Sequence, residues 1–86
     1  MVSQAFEAKA EAVNKLPTTP SNEELLELYG LYKQATVGDN DKPRPSGFNF
    51  KDKYKWDAWD KVKGMSQEDA EQKYIALVES LEQKYA

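Results

Sequence analysis

Apolar residues recur with a helical period in four stretches of the chain, and three clusters of proline and glycine divide those stretches. Phe6, Ala10, Val13 and Leu16 follow one another at intervals of four and three, with Glu7, Lys9, Glu11 and Asn14 between them. This predicts a first helix over about 3–15 with one buried stripe and Ser3 as its N-cap. A second helix is predicted over about 21–37. Ser21 and Glu24 form a capping box at its start, and Gly38 is placed to stop it in a left-handed turn. Leu25, Leu28, Tyr29 and Tyr32 give its stripe, and Leu26 and Leu31 widen the apolar face. Such a helix should touch two neighbours, or a neighbour and a ligand.

The third helix is predicted over about 51–63, with Trp56, Trp59 and Val62 three apart and Gly64 closing it. The tryptophans read as core anchors. The fourth is predicted over about 66–84, with Ser66 and Asp69 at its cap and a stripe of Ala70, Tyr74, Val78, Leu81 and Tyr85. Between the second and third helices, residues 39–49 read as a loop. Pro43 and Pro45 stand at alternate positions there, which a helix interior excludes. A connection that long frees the third helix from lying antiparallel beside the second. No stretch alternates with period two, so the fold class is all-α, with four helices in one domain over residues 1–86.

Composition narrows the chemistry. With 40% hydrophobic and 31% charged residues, the chain has enough apolar material for a core. There is no cysteine and no histidine, so thiolate chemistry, disulfides and the commonest general base and metal ligand are all missing. No apolar run approaches the ~20 residues needed to span a bilayer. The first residues lack the basic and apolar regions of a signal peptide, and a chain without cysteine, folding on its packing alone, suggests the cytosol. The net charge of −3 disfavours nucleic acid as a partner.

Charge is nevertheless uneven. Residues 51–63 carry five lysines against three aspartates, whereas residues 66–86 carry two lysines against five carboxylates. Tyr29 and Tyr32 share a helix side at i, i+3, and Tyr29 and Lys33 are neighbours at i, i+4. A phenol ring can stack on a flat heterocycle, and its hydroxyl and a nearby ammonium can both donate to a phosphate. Periodicity alone reads the tyrosines as core edge and Lys33 as solvated. The alternative is an anion site shared with the lysines before Trp56. Tyr74 is either a packing residue or a phenol reaching a ligand from the core edge. For catalysis the chain offers no Ser–His or Cys–His pairing and no phosphate-binding glycine loop.

The run Tyr29-Gly30-Leu31-Tyr32-Lys33-Gln34-Ala35-Thr36-Val37-Gly38-Asp39 resembles the motif Y-x-x-Y-K-Q-A-T-x-G-D of the acyl-CoA-binding protein family. The resemblance continues through Arg44-Pro45, through Lys55-Trp56-Asp57-Ala58-Trp59, through Gly64 to Ala70, and through Tyr74-Ile75. It spans essentially the whole chain. It implies a skewed up-down-down-up four-helix bundle. It also implies a non-enzymatic, cytoplasmic and monomeric carrier that binds, buffers and transports medium- to long-chain acyl-CoA for lipid metabolism, with no cofactor. Its partners would be acyl-CoA itself and, transiently, acyl-CoA-using enzymes or membrane surfaces.

By position, the resemblance makes Tyr32 the adenine platform and gives the ribose 3′-phosphate to Tyr29 and Lys33. Lys55 approaches the same end, Tyr74 closes the site, and Lys51 makes a lesser contact. Asn14 stands where many relatives have a lysine, and Ser46-Gly47 departs from the common R-P-G order after Arg44-Pro45. The competing reading from another class is a small helical protein–protein interaction module, whose aromatic face would bind a partner helix without regard to phosphate.

Overall fold

The computed structural model describes residues 2–47 and 49–85. It contains four helices: α1 (Gln4–Val13), α2 (Asn22–Thr36), α3 (Phe50–Asp60) and α4 (Gln67–Lys84), with no strand among the described residues. The expected caps are in place. Ser3 Oγ accepts from the Phe6 N–H, Ser66 Oγ accepts from the Asp69 N–H, and the Ser21–Glu24 box is closed in both directions. Asn49 caps α3 by accepting from the Asp52 N–H, a role the sequence reading did not give it.

Two helices are shorter than their patterns suggest. Beyond Val13, the N–H groups of Asn14, Lys15 and Leu16 bond to carbonyls three residues back, a tightened turn that carries the chain into Pro17. Beyond Asp60, Val62, Lys63 and Met65 bond in the same way, and Gly64 reverses the chain at φ 92°. Apolar periodicity persists through such turns, so it overstates helix length.

Paired contacts give the directions of the helices. The Ser3 N–H donates to Glu71 at the start of α4, and Lys9 reaches Glu82 further along, so α1 and α4 run parallel. Lys84 and Tyr85 donate to Glu24 at the start of α2, while the Gln67 side chain donates to the Ala35 carbonyl at its end, so α2 and α4 are antiparallel. Lys55 lies over Tyr29 and Lys33 over Trp59, with the same sequence offset, so α3 runs parallel to α2. The result is the up-down-down-up order. It requires residues 37–49 to return along α2, whose 15 residues span about 22 Å. An extended chain advances about 3.3 Å per residue, so the connection is long enough.

The core joins Phe6 of α1, Leu28, Leu31 and Ala35 of α2, and Ala70, Tyr74, Val78 and Leu81 of α4. Burial of each large apolar side chain stabilises the fold by roughly 1.5–3 kcal/mol before ordering costs. α1 and α2 each lie along α4 and α3 lies along α2, while α1 meets α2 through side chains, the Phe6 ring stacking on that of Tyr32. The wide apolar face of α2 thus serves more than one neighbour, as its sequence suggests. Its buried stripe, however, runs through Leu28, Leu31 and Ala35, while Leu25 and Tyr32 are 37% and 41% exposed. At the α2–α3 crossing a Cβ built on Gly30 would lie 2.5 Å from the Ala58 carbonyl oxygen, so the helices touch backbone to backbone.

The expectation that both tryptophans anchor the core holds for Trp59, which is 4% exposed, and not for Trp56. Their indole N–H groups donate to the carbonyls of Gly38 and Lys42, each at 2.8 Å. Both hold the long connection against α3, Trp59 from a buried position beside the central cluster and Trp56 from a half-buried one. Asp39 completes that attachment by accepting from the Gly64 N–H and from the Gln34 amide, both at 2.8 Å. These two bonds, the Gly64 one foremost, hold its carboxyl below the usual carboxylate range.

Candidate ligand-binding site

Parallel packing of α2 and α3 brings the first half of α3 beside Tyr29 and Lys33. The long connection then folds over the same region. A depression of about 220 Å³ results, lined by Tyr29 and Lys33 of α2, Asp52, Lys55, Trp56 and Trp59 of α3, and Lys42, Pro43 and Pro45 of the connection. The ammonium of Lys55 lies 5.4 Å and that of Lys33 5.9 Å from the centre of the Tyr29 ring. Lys33 and Lys42 approach the Trp59 ring to 5.6 and 5.9 Å. Aromatic faces therefore offset part of the repulsion among the cations, at about 0.5–1 kcal/mol for each exposed contact. Among the described residues, Lys33, Lys42 and Lys55 have no carboxylate within 4.0 Å. Three ammonium groups against the single carboxylate of Asp52 leave the hollow positively charged, a site suited to an anion.

Tyr32 does not join that group, although i, i+3 spacing suggested a common side with Tyr29. It turns toward α1 and α4, where its ring lies 5.5 Å from Phe6 and 5.9 Å from Tyr74, with Phe6 and Tyr74 at 4.8 Å. Tyr32 is 41% exposed, so part of its ring is open for stacking. Tyr74 is 5% exposed, and burial pushes its phenol above the ordinary value, keeping it neutral at physiological pH. Tyr29 and Tyr32 thus flank Lys33 on the two sides of α2.

The other candidates lie further out. Lys51 is exposed one turn before Lys55 and does not line the depression. Asn14 is the exposed C-cap of α1, its N–H bonded to Glu11, and it too lies outside the hollow. Conversely, Lys42, Pro43, Pro45, Trp56 and Trp59 line it although none of them was expected as a site residue: the prolines were read as loop markers and the tryptophans as core anchors. The signal available was the length of the connection together with a lysine set directly before proline.

A second groove of about 660 Å³ lies between α2 and α3 and shares no residue with the first. Leu26, Ala58 and Val62 give it an apolar floor, and Glu23, Glu27, Asp57 and Lys61 a charged rim. Arg44 grips Asp57 at this rim through two parallel bonds of 2.9 and 3.0 Å. The guanidinium holds the Asp57 carboxyl below its ordinary range.

The sequence model of the family described as Acyl CoA binding protein matches residues 3–78. The chain belongs to the acyl-CoA-binding protein family. Within that family, the acyl-CoA-binding protein of Saccharomyces cerevisiae is 70% identical over 86 residues, all of this chain and 99% of that one. An acyl-CoA-binding protein homolog of Drosophila melanogaster is 54% identical over the whole of both chains. The solved structure of the Oryza sativa Acyl-CoA-Binding Protein 2 superposes with a TM-score of 0.89 at 53% identity, covering 94% of this chain and 90% of that one. The solution structure of the yeast acyl-coenzyme A binding protein gives 0.77 at 70% identity, with 98% of each covered. The all-α bundle is therefore that of the acyl-CoA-binding protein family.

Proposed function

We propose that this chain, as a single domain over 1–86, binds acyl-CoA thioesters and carries them between the sites that make and use them, without transforming them. Membership of the acyl-CoA-binding protein family supports binding and transport. The geometric support is the hollow in which three ammonium groups, unpaired among the described residues, meet Tyr29 and Trp59, together with a separate apolar groove on the same helix pair. A nucleotide bearing a phosphate monoester, joined to a long alkyl chain, has the matching chemistry.

In this reading Lys33, Tyr29 and Lys55 hold the 3′-phosphate. Tyr32 stacks on the adenine, at about 1–3 kcal/mol for such a contact. Tyr74 closes the site mainly by supporting the Tyr32 ring. Lys51 adds charge at a distance, and Asn14 supplies a neutral side chain at the outer edge. The alkyl chain takes the groove floored by Leu26, Ala58 and Val62. Burial of ~10 methylenes contributes on the order of 8 kcal/mol gross, so the tail supplies affinity and the head supplies selection. Transient contact with membranes or acyl-CoA-using enzymes belongs to the same reading, as do a cytoplasmic location and a monomeric state. Among the described residues, no helix is long and apolar enough to cross a membrane.

Calorimetric titration with palmitoyl-CoA, palmitate and free CoA tests the proposal. Palmitoyl-CoA should bind tightly and be recovered intact, CoA more weakly, and palmitate weakly. Palmitate competing as well as its CoA ester would refute the assignment of the head, and consumption of the ester would refute a carrier without chemistry.

A further inference from the structure

The connection between α2 and α3 does more than span a distance. Its Lys42 is fixed at both backbone hydrogen-bonding groups. The Lys42 N–H donates to Asn40 Oδ1 at 3.1 Å, and its carbonyl accepts from the Trp56 indole at 2.8 Å. Asn40 is itself 2% exposed and is tied to α3 through a donor contact of 3.4 Å to the Trp56 carbonyl. Pro43 follows directly and confines the backbone of Lys42 to extended conformations. Two residues on, Arg44 is bound to Asp57. Held on both sides, Lys42 directs its side chain over the Trp59 ring, into the hollow shared with Lys33 and Lys55.

The charges lining that hollow are Lys33, Lys42, Lys55 and Asp52, a net +2. A phosphate monoester carries about −1.5 to −2 at neutral pH. Without Lys42 the lining falls to +1, the complement of a singly charged phosphodiester. We propose that Lys42 is a third phosphate-binding cation, positioned by Asn40 and Trp56, and that it makes the hollow select a terminal phosphate monoester. The proposal rests on the acyl-CoA reading of the site and adds a residue and a selectivity to it.

The test compares palmitoyl-CoA with 3′-dephospho-palmitoyl-CoA by calorimetry, on wild type, Lys42→Ala, Lys42→Arg and Asn40→Ala. Lys42 is exposed and its side chain makes no hydrogen bond among the described residues, so Lys42→Ala should fold as wild type does. It should weaken the phosphorylated ester about tenfold and the dephospho ester less than about twofold, with a shallower salt dependence. Lys42→Arg should retain the wild-type ratio, and Asn40→Ala should lower it. If Lys42→Ala leaves the wild-type ratio between the two esters intact, the proposal is overturned while the acyl-CoA reading stands. If wild type binds both esters equally, the phosphate reading of the hollow fails and the proposal fails with it. An unchanged ratio in Asn40→Ala overturns the positioning role of Asn40.

Discussion

Lys55 of α3 holds its ammonium 5.4 Å from the centre of the Tyr29 ring on α2, and among the described residues no carboxylate lies within 4.0 Å to neutralise it. Lys33 stands over the same ring in the same condition. An ion pair would explain either lysine as part of the scaffold; their lack of one leaves them available to a ligand. Lys33→Ala and Lys55→Ala should each weaken palmitoyl-CoA binding by about tenfold or more, since a hydrogen bond to a charged group contributes roughly 1.5–3 kcal/mol. Helix content and urea midpoint should stay close to wild type, because neither ammonium supports the fold. Loss of far-UV circular dichroism in either variant would show the lysines to be structural.

Tyr32 and Tyr74 touch each other but should respond differently to truncation. Tyr74 packs on Phe6 inside the core, so Tyr74→Ala opens a cavity and should destabilise the protein by about 3–5 kcal/mol. Tyr74→Phe removes only the hydroxyl and should leave stability near wild type, so its effect on affinity isolates any contact of the phenol with ligand. Tyr32 is 41% exposed, so Tyr32→Ala should cost far less stability while weakening acyl-CoA binding about fivefold to a hundredfold. Denaturation and titration run on the same three variants separate the two roles.

The sequence disclosed those parts of the molecule that depend on local chemistry. Ser3, Ser21 and Ser66 begin helices through bonds to residues three positions away, Gly38 and Gly64 turn the chain after helices through their own positive φ, and all were legible. Local spacing could not assign Tyr29 and Tyr32 to different neighbours. Residues at i, i+3 lie on adjacent flanks of a helix, and which flank meets α3 is decided by the crossing at Gly30 and Ala58. Nor could it place Trp59 under the connection, since that depends on a hydrogen bond to Gly38 across 21 positions. The family motif recovered Lys33 and Lys55 as partners because it records the fold that joins them. Lys42 lies outside that motif and emerged only when the connection was seen folded.

The Trp56 indole and the Lys42 carbonyl make a bond that can be removed while an aromatic ring, the smaller phenyl, is kept in place. Trp56→Phe deletes the donor, and it should destabilise the protein by about 1 kcal/mol, the net contribution of one such bond. Hydrogen exchange should accelerate at the Lys42 amide, whose acceptor Asn40 leans on the same stretch of α3. Amides in the centre of α4 should keep their protection. Uniform acceleration through α4 would mean that Trp56 supports the whole core and not only the connection.

Glu24 joins the start of α2 to the end of α4 and should make that junction sensitive to acid. Its carboxylate accepts from the Lys84 ammonium at 2.8 Å, the Tyr85 hydroxyl at 2.5 Å and the Ser21 N–H at 2.8 Å. These bonds, with that of Lys84 the largest, lower its pKa from 4.5 to about 2. A carboxyl with a depressed pKa in the folded state stabilises that state above its unfolded value, and the contribution fades as pH falls through the folded one. The stabilisation from Glu24 should therefore be complete above about pH 5 and gone near pH 2. Glu24→Gln should lower the urea midpoint at neutral pH and should converge with wild type as pH approaches 2. The wild-type curve will not flatten completely in the variant, because Asp39, Asp57 and Glu71 are also held below their ordinary values. Urea titrations at several pH values provide the measurement, and a gap between the two proteins that stays constant down to pH 2 would remove Glu24 from the acid response.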